Sequence, residues 1–209
     1  MDLVICVATD LEGALLRERL GGADGGVQVV RMGVGPVNAA HAVTACLLTR
    51  ARPAGIVVCG VGGAYPGSGL RVGDVACADV ECYGDLGAAS PAGFLDMKAL
   101  GFPVVEAPVA LYNDFPMHVF PAPRRMKFVT VTTCTGTDAA ARALEARTGG
   151  AVENMEGAAV AHVAHIYGVP VGEVRGISNM VTDRDTSTWR LQEAARAAQE
   201  VLLAWIGQR

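Results

Sequence analysis

Short apolar runs rich in β-branched residues recur along this chain, and between them apolar residues return at helical spacing. Residues 3–8 read as a buried strand. Asp10 then caps a helix whose periodicity runs through 11–20 and stops at Gly21-Gly22. A second strand, 27–32, runs into Gly33-Val34-Gly35-Pro36, and a helix follows from Val37 to about Arg50. Residues 56–59 form a third strand, expected to end in a glycine loop over 60–69, and 72–82 alternate over a longer strand. Residues 128–133 are a strand, and Thr137 or Asp138 caps a helix reaching about Arg147. Val152 sits in a short strand, 155–167 in a helix of small and apolar residues, 169–177 in a strand, and 191–206 in an amphipathic terminal helix. Strand and helix alternate throughout, which is the pattern of an α/β fold with a largely parallel or mixed sheet. No repeat or linker interrupts it, so residues 1–209 are expected to form a single domain.

Residues 84–125 break the pattern. Prolines stand at 91, 103, 108, 116, 121 and 123, with little periodicity between them. Loops this long in compact domains are functional or mobile.

Composition narrows the function classes. Apolar residues are 51% of the chain and charged residues 18%, as in a chain with a full core. A net charge of −4 gives no basic footprint for nucleic acid or an anionic membrane. Residues 53–70 carry no charge, but their glycines and prolines fit a buried strand and loop, not a membrane span. Met1-Asp2-Leu3 shows no basic leader, and the six cysteines form no CxxC pair. Reduced thiols and a cytoplasmic protein are the expectation.

Several stretches carry candidate chemistry. Backbone N–H groups of a turn such as Gly33-Val34-Gly35 can hold a phosphate. A dinucleotide fingerprint would need a third glycine at Asn38 and an acid about 20 residues later. Neither is present, and a tight turn is favoured. Gly60-Val61-Gly62-Gly63 either admits a ligand close to the backbone or is a tight strand exit. Glu156 opens a helix, where the dipole favours any carboxylate. Gly157, Ala158 and Ala159 after it leave room for something bulky, and a carboxylate can accept from two adjacent hydroxyls, as on a ribose. Glu12 has the same two readings, first-turn acid or site group. His162 and His165 share a helix face, but a metal would need a third ligand, so a surface or interface pair is expected. Arg124, Arg125 and Lys127 read as a solvated face, and Trp189 as core or as a lid.

Taken in order, the Glu12 region, the G-x-G turn, "GLRVGDV", "NMEGAAVAHVAHIYGVPV" and "RGISN" resemble the purine nucleoside phosphorylase and nucleosidase superfamily over nearly the full length. Among its members the nucleosidases of methylthioadenosine and adenosylhomocysteine are similar. "GAYPGSGLRVGDV", "CYGDLGA" and "RGISN" followed by "DRD" and Trp189 resemble more closely the futalosine hydrolases, which release hypoxanthine from futalosine in an alternative menaquinone pathway. The resemblance implies a three-layer α/β/α fold around a central twisted mixed sheet. It implies that Glu156 binds the ribose 2′- and 3′-hydroxyls, that Met155 packs on the sugar, and that Glu12 positions and deprotonates the attacking water. Thr135, Gly136 and Thr137 fall in the loop that lines the base pocket in relatives, and Gly62 and Ser178 complete the expected binding set. A small-molecule nucleoside substrate, a homo-oligomer (dimer or tetramer), and no cofactor or metal follow from the same resemblance.

Asn179 departs from the methylthioadenosine enzymes, where an Asp protonates adenine N7. An amide cannot supply a proton, but it offers two N–H donors and one carbonyl. It can donate to O6 of hypoxanthine and accept from N7–H as that proton arrives. Asn also pairs with adenine N6 and N7, so the amide admits hypoxanthine without excluding adenine. Phosphorolysis would need a cationic clamp. No Arg or Lys lies in 53–70 or 33–35, which favours water, although Arg31 keeps phosphate open. A non-catalytic nucleoside-binding module is the third alternative. Futalosine's aromatic carboxylate calls for a cation and an apolar slot, for which Tyr112, Phe115 and Arg124 of the 84–125 excursion are candidates, from the same subunit or across a subunit interface.

Overall fold

The computed structural model describes residues 2–21, 26–118 and 124–208. Its strands are β1 (Leu3–Val7), β2 (Val27–Arg31), β3 (Gly55–Ala64), β4 (Val75–Tyr83), β5 (Gly87–Ser90), β6 (Gly93–Asp96), β7 (Asp114–Pro116), β8 (Arg125–Thr130), β9 (Val152–Asn154) and β10 (Val171–Met180). The helices are α1 (Asp10–Leu20), α2 (Pro36–Leu48), α3 (Met97–Leu100), α4 (Asp138–Thr148), α5 (Gly157–Ile166) and α6 (Leu191–Gly207).

One mixed sheet runs β10-β4-β8-β9-β3-β1-β2, with β7 on β4. β1 pairs parallel with β2 and β3, and β10 pairs parallel with β3 and antiparallel with β4. Because β10 reaches both β3 and β4, the path β10-β4-β8-β9-β3 closes on itself. The side chains of β1 alternate between two cores, as a period of two requires. Val4 and Cys6 face the core under α2 and α5, with Ile56, Val58 and Val160. Ile5 and Val7 face the core under α1 and α6, with Leu16, Ala198 and Leu202. The result is the three-layer α/β/α arrangement around a mixed sheet. Among the described residues no helix is long and apolar enough to cross a membrane.

Several boundaries differ from the sequence expectation, each for a local reason. Thr9, not Asp10, caps α1, because its hydroxyl accepts from the Glu12 N–H while Glu12 reaches back to the Thr9 N–H. The glycines at 60–63 do not leave the sheet. β3 is flanked by β10 and β9 there, and ladder pairing carries it on to Ala64. α5 begins only at Gly157, so Met155 and Glu156 precede the helix. β10 continues to Met180, so Ser178 and Asn179 lie inside the strand. The 84–125 excursion is partly ordered, holding the β5–β6 hairpin, α3 and β7; residues 119–123 lie outside the described residues.

α6 locks β10 in place. A Cβ built on Gly176 would stand 2.0 Å from the Ala194 carbonyl oxygen and 2.6 Å from its carbon. Both are backbone atoms and cannot swing aside. Gly176→Ala is therefore expected to force α6 off the sheet and to cost about 1–3 kcal/mol or more, read as a lower denaturation midpoint. A midpoint equal to that of the parent protein would show that the helix does not press on β10.

Candidate active site

The carboxyl ends of β1, β3, β9 and β10 gather around one cavity of about 300 Å³. In open α/β sheets ligands settle at this end of the strands. Glu12, Gly62, Thr135, Met155, Glu156, Ser178 and Asn179 all line it, although they come from widely separated parts of the chain. Two expected members do not. The Thr137 hydroxyl accepts from the Ala140 N–H at 3.2 Å and is spent as the cap of α4. Gly136 uses its carbonyl to accept the Arg184 N–H at 3.1 Å. Both hold the loop instead of facing the cavity.

Glu156 stands where β9 turns into α5, yet it makes no side-chain cap bond to that helix. Its Oε1 accepts from the Gly35 N–H at 3.0 Å, and its Oε2 from Arg175 Nη2 at 3.2 Å. Gly35 presents that N–H from a backbone with φ of +94°, a conformation that favours glycine. So the G-x-G turn is both a tight turn and part of the site. Each carboxylate oxygen has one protein partner and keeps one acceptor position.

Glu12 is both things the sequence left open. Its Oε2 completes the capping box, accepting from the Thr9 N–H at 2.9 Å and hydroxyl at 2.8 Å. Its Oε1 accepts from the Val61 N–H at 2.9 Å, which turns the carboxylate toward β3 and the cavity.

The group that sequence reasoning missed is Arg175. It is 2% exposed and ties the acidic groups together. Nε donates to Glu173 Oε1 at 2.6 Å, Nη1 to the Val61 carbonyl at 2.9 Å, Nη2 to Glu156, and Nη1 lies 4.0 Å from Glu12 Oε1. Burial alone would lower its pKa; the carboxylates of Glu173, Glu156 and Glu12 outweigh that and hold it raised. A Cβ on Gly60 would stand 2.6 Å from Glu12 Oε1 and 2.7 Å from Arg175 Nη1, so a bare Cα there lets the two groups approach. One signal in the sequence pointed to this hub. Glu173 and Arg175, two apart, put opposite charges on one face of an otherwise apolar strand, where charges are rare unless paired.

Asn179 is aimed by a bulge. The β10–β3 register slips between Ile177 and Asn179, and bulges next to sites re-aim side chains. Ser178 Oγ donates to Asn179 Oδ1 at 2.7 Å, and Asn179 Nδ2 donates to the Met180 carbonyl at 3.1 Å. That leaves one N–H and one acceptor position on the amide. Trp189 lines the same cavity with the Arg184 guanidinium 4.8 Å above its ring, which fits the lid reading.

Other expectations are corrected. His162 and His165, expected as a surface or interface pair, have ring partners within the chain. They are half-buried, their rings 5.4 and 5.9 Å from Phe115, with Nε2 atoms on the carbonyls of Val104 and Pro116. Phe115 is fully buried in that packing, and Arg124 pairs with Asp74 at 3.2 Å. Neither faces the cavity of its own subunit, and Tyr112 lines a separate groove.

A sequence model described as the Phosphorylase superfamily matches residues 11–207. The futalosine hydrolase of Streptomyces coelicolor is 37% identical over 193 residues, covering 85% of this chain and 77% of that one. The futalosine hydrolase of Thermus thermophilus is 32% identical over 197 residues, covering 88% and 84%. Among solved structures, a methylthioadenosine/adenosylhomocysteine nucleosidase from Colwellia psychrerythraea in complex with adenine superposes with a TM-score of 0.80. It is 23% identical and covers 100% of this chain and 95% of its own, a likeness of fold.

Behind the cavity, Glu81 and Glu173 are fully buried, and each has an Oε2 without a hydrogen-bond partner. Burial, and then the Glu173 charge, push the Glu81 carboxyl well above the usual carboxylate range, against hydrogen bonds from Thr130 and Asn154. The native state thus holds a proton there that the unfolded chain gives up at lower pH. Stability is full below the unfolded pKa and declines as pH rises toward the raised folded value. Glu81→Gln keeps an acceptor for Thr130 and Asn154 and removes this titration. It is expected to raise Tm at neutral pH by about 2–4 °C and to flatten the decline of Tm above acidic pH. A lower Tm at neutral pH would contradict the assignment.

Proposed function

The chain belongs to the phosphorylase superfamily, and we propose that it is a hydrolytic N-ribosidase cleaving the N-glycosidic bond of futalosine to release hypoxanthine. The observation that carries this reading is that Glu12, Glu156 and Asn179 line one cavity, in a chain 37% and 32% identical to two futalosine hydrolases over most of its length.

In this reading the C1′–N9 bond lengthens first and its electron pair leaves with the purine. The two acceptor positions left on Glu156 take the ribose 2′- and 3′-hydroxyls, a positioning role. Met155 packs on the sugar. Glu12 takes a proton from water as the water oxygen bonds to C1′. Asn179 holds the departing purine by hydrogen bonds that strengthen as charge develops, and the purine takes its proton from solvent. Arg184 and Trp189 offer the cation and the aromatic surface that an aromatic carboxylate on the 5′ side calls for. No cofactor or metal takes part. Assembly into a homo-oligomer belongs to the same reading, supported by the exposed apolar Val37, Leu48 and Ile166. So does a cytoplasmic location, which fits the reduced cysteines.

Phosphorolysis loses support. Arg31, which kept it open, donates to Asp10 Oδ2 at 2.9 Å on the outer surface. Adenine nucleosides stay as the second reading, because the amide of Asn179 can also face adenine.

Incubation with futalosine is expected to release hypoxanthine equally with and without phosphate, followed by chromatography. Phosphate-dependent formation of ribose 1-phosphate product would reject hydrolysis. Faster adenine than hypoxanthine release from matched nucleosides would favour the second reading. Glu12→Gln should lower kcat by about 10²–10⁴-fold while free hypoxanthine still binds. An unchanged kcat would remove Glu12 from the chemistry.

A further inference from the structure

Asn179 by itself leaves the purine unspecified, and the cavity holds a third carboxylate that the mechanism does not use. Glu153 lines the cavity and is 7% exposed. It sits in β9 directly opposite Gly63 of β3, while Asn179 of β10 pairs with Gly63 from the other side. Cross-strand partners present their side chains on the same face. Glu153 and Asn179 therefore flank the bare Cα of Gly63, where a Cβ would stand 2.8 Å from Val181 Cγ2 and 3.0 Å from Asn179 Nδ2. Strands lie roughly 4.8 Å apart, so the two backbones are about 10 Å from each other. Both residues also line the cavity beside Gly63, so a purine bound in it can bond to each with one end of its polar edge.

The hydrogen bonds of Glu153 fix what it can accept. Tyr65 Oη donates to Oε2 at 2.8 Å, Thr135 Oγ1 to Oε2 at 2.5 Å, and the Thr135 N–H to Oε1 at 2.9 Å. Burial first, and then the Glu153 charge, raise the pKa of Tyr65, so its hydroxyl remains a donor. Every protein partner donates, so the carboxylate acts only as an acceptor. A carboxylate has about four acceptor positions; three are filled, and the open one, on Oε1, calls for a donor. A 6-oxopurine carries N1–H. Adenine carries a lone pair at N1, which would face the carboxylate oxygen.

We infer that Glu153 is the specificity-determining residue of the pocket: it accepts a hydrogen bond from N1–H and selects 6-oxopurine over 6-aminopurine leaving groups. Asn179 donates to O6 beside it. This rests on the nucleosidase reading above. It supplies the discrimination that the amide lacks, since a buried acceptor left facing a lone pair is penalised in full.

The test compares kcat/KM for futalosine and for its analogue carrying adenine in place of hypoxanthine, in the parent protein and in Glu153→Gln. The glutamine oxygen at the Oε2 position keeps an acceptor for Tyr65 and the Thr135 hydroxyl, while its NH2 at the Oε1 position offers an N–H to adenine N1 and gives up the bond from the Thr135 N–H. The parent is expected to prefer futalosine, and the variant to lose roughly 10- to 100-fold of that preference. If the variant lowers both substrates in parallel, Glu153 only fastens the 132–136 loop and the inference fails while the nucleosidase reading stands. If the parent itself prefers the adenine analogue, the assignment and the hypoxanthine reading fail together. Titration of the parent with free bases covers a variant that does not fold. Hypoxanthine should bind, and adenine and 1-methylhypoxanthine, which lacks the N1–H, should bind at least about tenfold more weakly. Equal affinity for the three bases would overturn the inference.

Discussion

One buried guanidinium sets the geometry of this molecule's acidic centre. Glu12 arrives from the first helix, Glu156 from the start of α5, and Glu173 from β10 itself, and Arg175 joins all three. Charges removed from water are expensive unless paired, and breaking such a group by removing one partner costs about 3–5 kcal/mol. The arginine therefore does more than neutralise. Its planar fork gives the carboxylates fixed directions in which to be held. Three acids against one base would still be out of balance. Burial raises the Glu173 pKa against the pull of Arg175, and the backbone N–H groups of Gly35 and Val61 help hold the two carboxylates that face the cavity.

Backbone devices finish what the arginine begins. The left-handed Gly35 turns an N–H onto Glu156. The Val61 N–H holds Glu12. The bulge in β10 swings Asn179 out of register. None of these uses a mobile side chain, so the acceptor positions left open are set by the sheet. This is the kind of preorganised polar site in which developing charge is stabilised without reorganisation.

Much of this was legible in the sequence. Alternating strands and helices specify an α/β fold, and Glu12, Glu156 and Asn179 stood out as polar residues at the edges of apolar elements. What escaped shares one cause. Arg175, Glu173 and Glu153 lie inside strands, where their roles depend on which strand comes alongside, and pairing between β3, β9 and β10 is not written in local spacing. The glycines at 60–63 misled in the same way. Locally they read as a loop, but flanked by two partners they extend a strand and let buried charges approach. Thr137 shows the converse. The family resemblance implied a ligand contact, while its own geometry is that of a helix cap, which the capping pattern had also offered.

The claim at the centre is that separate acids converge on one sugar because Arg175 holds them there. A crystal structure with a non-hydrolysable analogue of the nucleoside bound tests it most directly. The account predicts both ribose hydroxyls on Glu156 within hydrogen-bond distance, Arg175 still on Glu156 Oε2, and C1′ facing Glu12. A sugar seated in the groove beside Tyr112 and Lys127, or turned away from Glu156, would contradict it.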